Sequence, residues 1–502
     1  METSPPAPDP DPDTDTATAD VLADPRHTWR IPDDRRLPAI DPYSDAVHRT
    51  PPVTVRETLW DTDDRVLAFE GVELLRAEDG SPTWSIDRGD GPTPVPDDLD
   101  RATAPSADGP VVPRDVVEVF LRGRTVRPVR VRDTTTTLVV VRGKDGKVRV
   151  EVADVRIDEG DSDTTLVASG RWWALTDDGH PGSIARAVER ALTDAADDPG
   201  RSDRGPVPRL APVRRPATAR AHLPHSGTAA AFVRETLVGL RADLVAIDPL
   251  VRADERDAVH AFRKVLRRTR SVLAAFRGAL DRDATEPLRA ALAQIGRTAG
   301  TARDAEVLRD RLLRSAARTA AGYVDARTLD RLGSRFEHTR ATSAAELRRT
   351  LRTAAWFDAL GALDRLVDSA PTGGHARDDA SAFVTARIER ERARLAKTLD
   401  RSTGDLVSLH EIRKAARRLR YALQAAGGLA DVGKRRLGRL RRIQDTLGDA
   451  LDAAHAADAY RLAAVDAAAD GEDTFGYGAL ATSERAVVEQ RIAEGRRLLA
   501  GL

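Results

Sequence analysis

The chain of 502 residues has no cysteine, a single methionine and only 4% aromatic residues. Without cysteine there can be no disulfide, no thiolate metal ligand and no cysteine nucleophile, and a reducing compartment is the natural expectation. No stretch approaches the roughly 18 consecutive apolar residues that a membrane span needs. The N-terminus is acidic and Pro-rich, with neither a basic segment nor an apolar core, so the reading is a soluble, unexported, cytoplasmic protein. P-loop and Rossmann fingerprints are missing, and the shortage of aromatics provides poorly for stacking nucleic-acid bases.

A net charge of one sign is also lacking, since 79 Lys+Arg face 80 Asp+Glu. The balance conceals a split. Residues 221–502 hold 49 basic and 38 acidic side chains, or +11, which leaves 30 basic and 42 acidic, or −12, in residues 1–220. Such an asymmetry points to a polyanion partner for the basic half.

Within that half, DAVHAFRKVLRRTR (Asp257 to Arg270) is echoed by SLHEIRKAARRLR (Ser408 to Arg420). At about 100° per residue, His260, Arg263, Lys264 and Arg267 share one helical face, and His410, Arg413, Lys414 and Arg417 share the same face of the echo. The backs are apolar: Phe262, Val265, Leu266, Leu273 and Phe276 in one copy, Ile412, Ala415, Ala416, Leu419 and Leu423 in the other. Like charges at i, i+3 and i+4 repel by a few tenths of a kcal/mol per pair. Stacking them twice in register implies an anion, although one copy alone would read as a solvated face of an Arg-rich chain.

Residues 1–24 are low in hydrophobicity and loaded with Pro, Asp and Thr, which predicts disorder. Period-two runs then follow: Val53 to Leu59, Arg65 to Phe69, Val72 to Leu75, Thr83 to Ile86, Val116 to Leu121, Val126 to Val131, Thr136 to Val141 and Val148 to Val152. Gly143 to Lys147 is a hairpin signal, and Ile184 to Ala195 is a helical stretch. About eight short strands predict an antiparallel barrel or strongly curved sheet over residues 25–197. Residues 198–225 form a Pro/Arg linker.

The strand-rich region resembles the CYTH, or triphosphate-tunnel, family. The likeness is carried by Leu59-Trp60-Asp61-Thr62-Asp63-Asp64, Leu67, Gly71 to Arg76, Trp84 and Glu151 to Val155. The resemblance implies metal-dependent triphosphate chemistry from an ExExK strand, and here the sequence departs. That motif falls on Asp24 to Thr28, with Arg26 and Thr28 in place of an acid and the lysine. A later acidic strand falls on Trp172 to Thr176, and another family lysine falls at Asp87. Mg²⁺ requires carboxylates alongside substrate phosphates, so a degenerate tunnel is expected, with Arg76, Arg130, Arg142 and Glu151 as relics of its lining. Trp172 and Trp173 read as core packing.

Beyond residue 226 the pattern is helical, in some ten amphipathic segments with an internal duplication. The whole therefore reads as α+β in two domains, a β-barrel-like domain followed by an all-α two-lobed bundle at 226–502. The duplication extends to Ile295 to Asp304, set against Leu440 to Ala450, and to Arg435, Arg439 and Arg442 at i, i+4 and i+7. DAVHAFRKVLRRTRSVLAAF, the Arg303-Asp304 turn, LHEIRKAARRLRYAL and RRIQDTLGDALDAA are very similar to the CHAD family of helical domains. That resemblance implies a basic central channel; several members bind inorganic polyphosphate there, and some associate with polyphosphate granules. The expected binding residues are His260, Arg263, Lys264, Arg267, Arg268, Arg270, Arg297, Arg303, His410, Arg413, Lys414, Arg417, Arg418, Arg420, Arg435, Arg439 and Arg442. Asp304 and Asp449 read as partners of arginines or helix caps. No catalytic set, cofactor or resident metal is expected. The alternatives are a CYTH-type metal-dependent triphosphatase or polyphosphatase, and RNA or nucleotide binding through the same basic surface.

Overall fold

The computed structural model describes residues 25–44, 46–78, 83–89, 91–96, 110–161, 166–177, 182–196, 226–429 and 433–500. The acidic tail at 1–24 and the Pro/Arg linker at 198–225 lie outside the described residues. The chain divides into two compact units, Met1–Pro216 and Ala217–Leu502.

The first unit is a nine-stranded antiparallel sheet: β1 His27–Ile31, β2 Ala46–Arg49, β3 Val53–Asp61, β4 Glu73–Ala77, β5 Trp84–Asp87, β6 Pro92–Pro94, β7 Arg127–Arg142, β8 Val148–Gly160 and β9 Leu166–Asp177. The order is β1-β9-β8-β7-β3-β4-β5-β6, with β2 also on β7. The expected barrel is instead an open sheet. Its last strand is three residues long and carries Pro92 and Pro94, which have no N–H to donate onward, as suits an edge. The runs expected at Val126 and Thr136 are one continuous strand, β7, which turns at Gly143 to Lys147 into β8.

Two of the predicted strands are helical turns. Val66–Phe69 (α1) forms because buried Asp61 accepts the backbone N–H groups of Thr62 (2.7 Å), Leu67 (2.9 Å) and Ala68 (3.0 Å). The chain then reverses at Gly71, whose φ of +72° is the left-handed region that glycine tolerates. Glu118–Leu121 (α2) is buried along its length, and Glu118 accepts from Gly123 N at 2.6 Å and Arg114 Nε at 2.9 Å. In both, a carboxylate paired with backbone donors overrides an apolar run that period two reads as strand.

The sheet has two apolar faces. Trp29, Ile31, Val139, Val141, Val150, Val152, Trp173 and Leu175 pack under the helix Ser183–Ala195 (α3) through Ala185, Val188 and Leu192. The alternate residues Leu138, Val140, Ala153, Val155, Ile157, Trp172 and Ala174 form the second face. Trp172 and Trp173 are thus core on opposite sides. The register puts Arg130, Arg132, Glu57, Glu73, Asp87, Glu151 and Glu159 on the second face and Arg76 on the other, beside Thr58 and Trp84. Arg142 is exposed and donates to the Gly146 carbonyl at 3.1 Å. Of the four expected tunnel relics, Arg130, Arg142 and Glu151 fall on one face and Arg76 on the other. In the strand aligned with ExExK, Arg26 pairs with Asp177.

Buried Arg132 is the centre of that charged end. It donates to Glu73 at 2.9 Å and to Glu159 at 2.9 Å, and Arg130 reaches Glu159 at 3.0 Å. Burial raises the Glu57 carboxyl above its ordinary range, against the pull of Arg132. Removing Arg132 strands buried carboxylates. Arg132→Ala should cost about 3–5 kcal/mol, seen as a lower midpoint in denaturant for the sheet unit, whereas Arg76→Ala should be nearly silent.

The second unit is helical: α4 Ala229–Arg252, α5 Ala258–Ala275, α6 Arg282–Arg318, α7 Ala326–Leu351, α8 Ala354–Asp368, α9 Ala380–Asp400, α10 Leu406–Ala426, α11 Lys434–Ala469 and α12 Phe475–Leu499. Gly296 lies inside one helix of 37 residues, α6. The two halves start side by side, Thr228 bridging to Asp379 while each caps its own helix. Aromatic contacts pin both ends of α5: Phe232 against Phe276 at 5.0 Å and Phe262 against Trp356 at 5.4 Å. At the far end α6, α7, α11 and α12 bury Leu312, Leu332, Phe336, Tyr460 and Tyr477 together. There Glu484, wholly buried, accepts Arg311 Nε at 2.7 Å. Among the described residues no helix is long and apolar enough to cross a membrane.

Candidate functional site

Helices α5 and α10 pack directly on each other. Their apolar backs are buried as the periodicity requires, Phe262, Val265, Leu266 and Leu273 in α5 and Ile412, Ala416, Leu419 and Leu423 in α10. Anchoring both backs fixes where the charged faces go. Arg263 and Arg267 come from α5, Arg413 and Arg417 from α10, and they meet in one cluster.

The electrostatics register that crowding. Burial, aided by Arg267, Arg413 and Arg263, pushes the Arg417 guanidinium down to about 9. Burial likewise pushes Arg267 down to about 10, with Arg263, Arg413 and Arg420 adding repulsion. Arg413 is lowered by burial and by Arg263, with Asp452 and Asp445 opposing. At an effective dielectric near 20, two like charges about 6 Å apart repel by roughly 3 kcal/mol. The repulsion is intrinsic to the unliganded site, and an anion relieves it.

The four arginines divide into held and open pairs. Arg263 Nη1 donates to Asp304 at 3.0 Å, and Arg413 Nε donates to the Gln444 carbonyl at 3.2 Å. Arg267 and Arg417 have no paired carboxylate among the described residues, and Arg267 Nε is buried without a hydrogen-bond partner. Arg420 lies over the buried ring of Tyr421 at 5.0 Å, and its Nε is also buried without a hydrogen-bond partner.

The remaining expected residues surround this centre unevenly. His260 is exposed at the start of α5, near Arg303, Arg267 and Lys264, and His410 holds the equivalent place near Lys414, Arg413 and Arg417. Lys264 is exposed, and Lys414 pairs with Glu411 at 2.8 Å. Arg303 pairs with Glu306 at 2.9 Å. Arg270 feels Arg289 and Arg297 of α6, and Arg297 contacts Gln294. Two residues turn elsewhere: Arg268 faces Asp243 of α4 at 3.9 Å, and Arg418 bonds Glu391 at 2.7 Å and the Ala274 carbonyl at 3.1 Å. Arg435 and Arg442 are exposed and Arg439 half-buried along the start of α11, where none of the three has a paired carboxylate among the described residues.

The structure also shifts the repeat register on the second helix. Asp449 accepts Arg311 at 2.5 Å and Arg491 at 2.7 Å, a tie between α11, α6 and α12. Arg413 instead has Asp452 as its neighbour, as Arg263 has Asp304. Aligning on Gly300 and Gly448 puts Asp304 opposite Asp452, four residues on in each copy. The signal was in the sequence as a repeated G-x-x-x-D, masked by the richer run of arginines upstream.

Three comparisons bear on this unit. Residues 236–461, within the helical unit, match the family profile described as CHAD domain. Over 473 residues the chain is 29% identical to the uncharacterized proteins MT2285 and Rv2226 of Mycobacterium tuberculosis strains CDC 1551 / Oshkosh and ATCC 25618 / H37Rv, covering 88% of this chain and 89% of each relative. Among solved structures, PptA from Streptomyces chartreusis is similar at 19% identity and a TM-score of 0.45, covering 55% of this chain and 100% of that one. The CHAD domain of the plant Ricinus communis is similar at 20% identity and a TM-score of 0.44, covering 57% of this chain and 97% of that one.

The histidines give the site a measurable signature. Burial, then Arg303, lowers His260, and burial, then Lys414, lowers His410, both from an ordinary value of 6.5. The unfolded chain therefore binds more protons just below that value, and these two groups erode stability as pH falls through it. Imidazole resonances of the ligand-free protein should titrate below 6.5. Arg303→Gln should move His260 upward and leave His410 in place.

Proposed function

We propose that the helical unit binds inorganic polyphosphate in the cationic cluster between α5 and α10. The observation that carries the reading is the meeting of Arg263, Arg267, Arg413 and Arg417 from two separate repeats, with Arg267 and Arg417 lacking a paired carboxylate. Polyphosphate carries about one negative charge per phosphate on a flexible strand without bases or sugars. Guanidinium forks match its oxygens two at a time, and the exposed lysines and arginines around the centre add longer-range attraction. The same chemistry favours polyphosphate over RNA here, because Tyr421, the aromatic ring at the cluster, is buried beneath Arg420 and offers no face to a base.

In this reading the sheet unit is a CYTH-like module that has lost triphosphate chemistry. Its charged face sets Glu57, Glu73, Asp87 and Glu159 beside Arg130 and Arg132, so a triphosphate would meet carboxylates. A binder of this kind belongs in the cytoplasm, on polyphosphate granules. The partner is inorganic polyphosphate itself, and no cofactor is needed.

Long-chain polyphosphate should be retained by the full chain in filter binding, with affinity falling steeply as salt rises through counterion release. Reversing both open arginines, Arg267→Glu with Arg417→Glu, should abolish retention; undiminished affinity sinks the assignment. RNA should displace polyphosphate poorly. Phosphate release from tripolyphosphate with Mg²⁺ or Mn²⁺ would restore the hydrolase reading of the sheet unit.

A further inference from the structure

The two held arginines are not held alike. Arg263 lies over Gly300 of α6 and is fixed by Asp304. Arg413 lies over Gly448 of α11, where its Nε reaches the Gln444 carbonyl, one turn earlier in that helix. A Cβ on Gly300 would stand 3.5 Å from Arg263 Nη2, an ordinary contact. A Cβ on Gly448 would stand 2.9 Å from Arg413 Nη2 and 3.3 Å from its Nε. A Cβ on Gly448 therefore cannot coexist with Arg413 where it lies, and the guanidinium must shift, whereas a Cβ on Gly300 leaves Arg263 in place.

Glycine in a helix interior costs stability relative to alanine, so its presence at both points asks for a reason. Other glycines of the same helices answer differently: Gly296 in α6 and Gly438 in α11 have open space where a Cβ would be. Of these four, Gly448 alone has a guanidinium so close that a methyl group would displace it. Asp452 adjoins both Arg413 and Asp304, so the two seats are neighbours across the repeat axis.

We infer that Gly448 is a positioning residue for the anion site: it seats Arg413 against α11, so that the guanidinium faces the cluster as a fixed member while Arg417 is left to move onto the ligand. The inference rests on the polyphosphate reading for its binding consequence, and on the geometry of Arg413 alone for the seat itself. Displaced by a methyl group, Arg413 loses its bond to the Gln444 carbonyl and one fixed charge leaves the cluster.

Two measurements on the full chain separate these layers. In the ligand-free protein, the Arg413 Nε–H resonance should be protected from solvent exchange, and Gly448→Ala should remove the protection; protection retained in the variant overturns the seat. In filter binding with long-chain polyphosphate, Gly448→Ala should weaken affinity about tenfold and flatten the salt slope by on the order of 0.7, one phosphate contact on a single strand. The melting temperature should not fall, since alanine favours the helix. Gly300→Ala and Gly438→Ala should bind like the parent. Equal losses in all three variants would mean that helix stiffness is responsible and overturn the seat. A parent protein that fails to retain polyphosphate refutes the proposed function, while the Nε–H signal still decides the seat.

Discussion

Everything distinctive about the helical unit follows from forcing like charges together. Arg263, Arg267, Arg413 and Arg417 repel one another, and burial makes the repulsion larger because less water screens it. Something else must hold the helices in place. The apolar backs of α5 and α10, with the Phe262–Trp356 and Phe232–Phe276 contacts at the two ends of α5, supply that force through burial of large side chains. Stability is thus generated on one side of each helix and spent on the other, an arrangement that makes sense only if the strained side is used.

The internal duplication explains why the strain is concentrated. Two similar helices packed against each other bring their equivalent residues to a common axis, so residues near that axis meet their own counterparts. His260 and His410 stand further along, beside the lysines, and the open arginines lie at the centre. The copies have since diverged. Arg303 approaches His260, whereas the residue at that place in the second copy is Leu451, and the two glycine seats differ in how closely they fit.

Much of this was legible in the sequence because helical periodicity is a local signal. The apolar stripes, the cationic faces and their repetition all depend on residues three and four apart, and each was found where the spacing placed it. The sheet was less legible. Val66–Phe69 and Val116 to Leu121 alternate or cluster as strands do, yet Asp61 and Glu118 hold them as turns through backbone donors that no pattern of hydrophobicity reports. Strand closure was invisible too, since it depends on which edges pair; prolines at 92 and 94 were the one local warning. Arg268 and Arg418 carry the right charge on the right helices, but they lie off the shared face, and only packing reveals Asp243 and Glu391 as their neighbours. The repeat register failed by three residues at Asp449 because arginines outnumber the two glycines that define it.

The chain also carries its own control for the reading of an Arg-rich sequence as merely Arg-rich. Three of the four buried arginines among the described residues are answered by carboxylates, Arg132 by Glu73 and Glu159, Arg252 by Asp248 and Arg311 by Glu484 and Asp449, while Arg387 lies over the Phe383 ring at 4.7 Å. That is the ordinary solution, because an unpaired buried charge is far more costly than a paired one. Residues 221–502 still hold 38 acids against 49 bases, so supply alone is not the obstacle. Where Arg267 and Arg417 meet, the usual partner is withheld twice, at equivalent positions, in a fold that supplies it elsewhere. The partner those two guanidiniums lack has the charge of a carboxylate, which is the charge a polyanion ligand would bring.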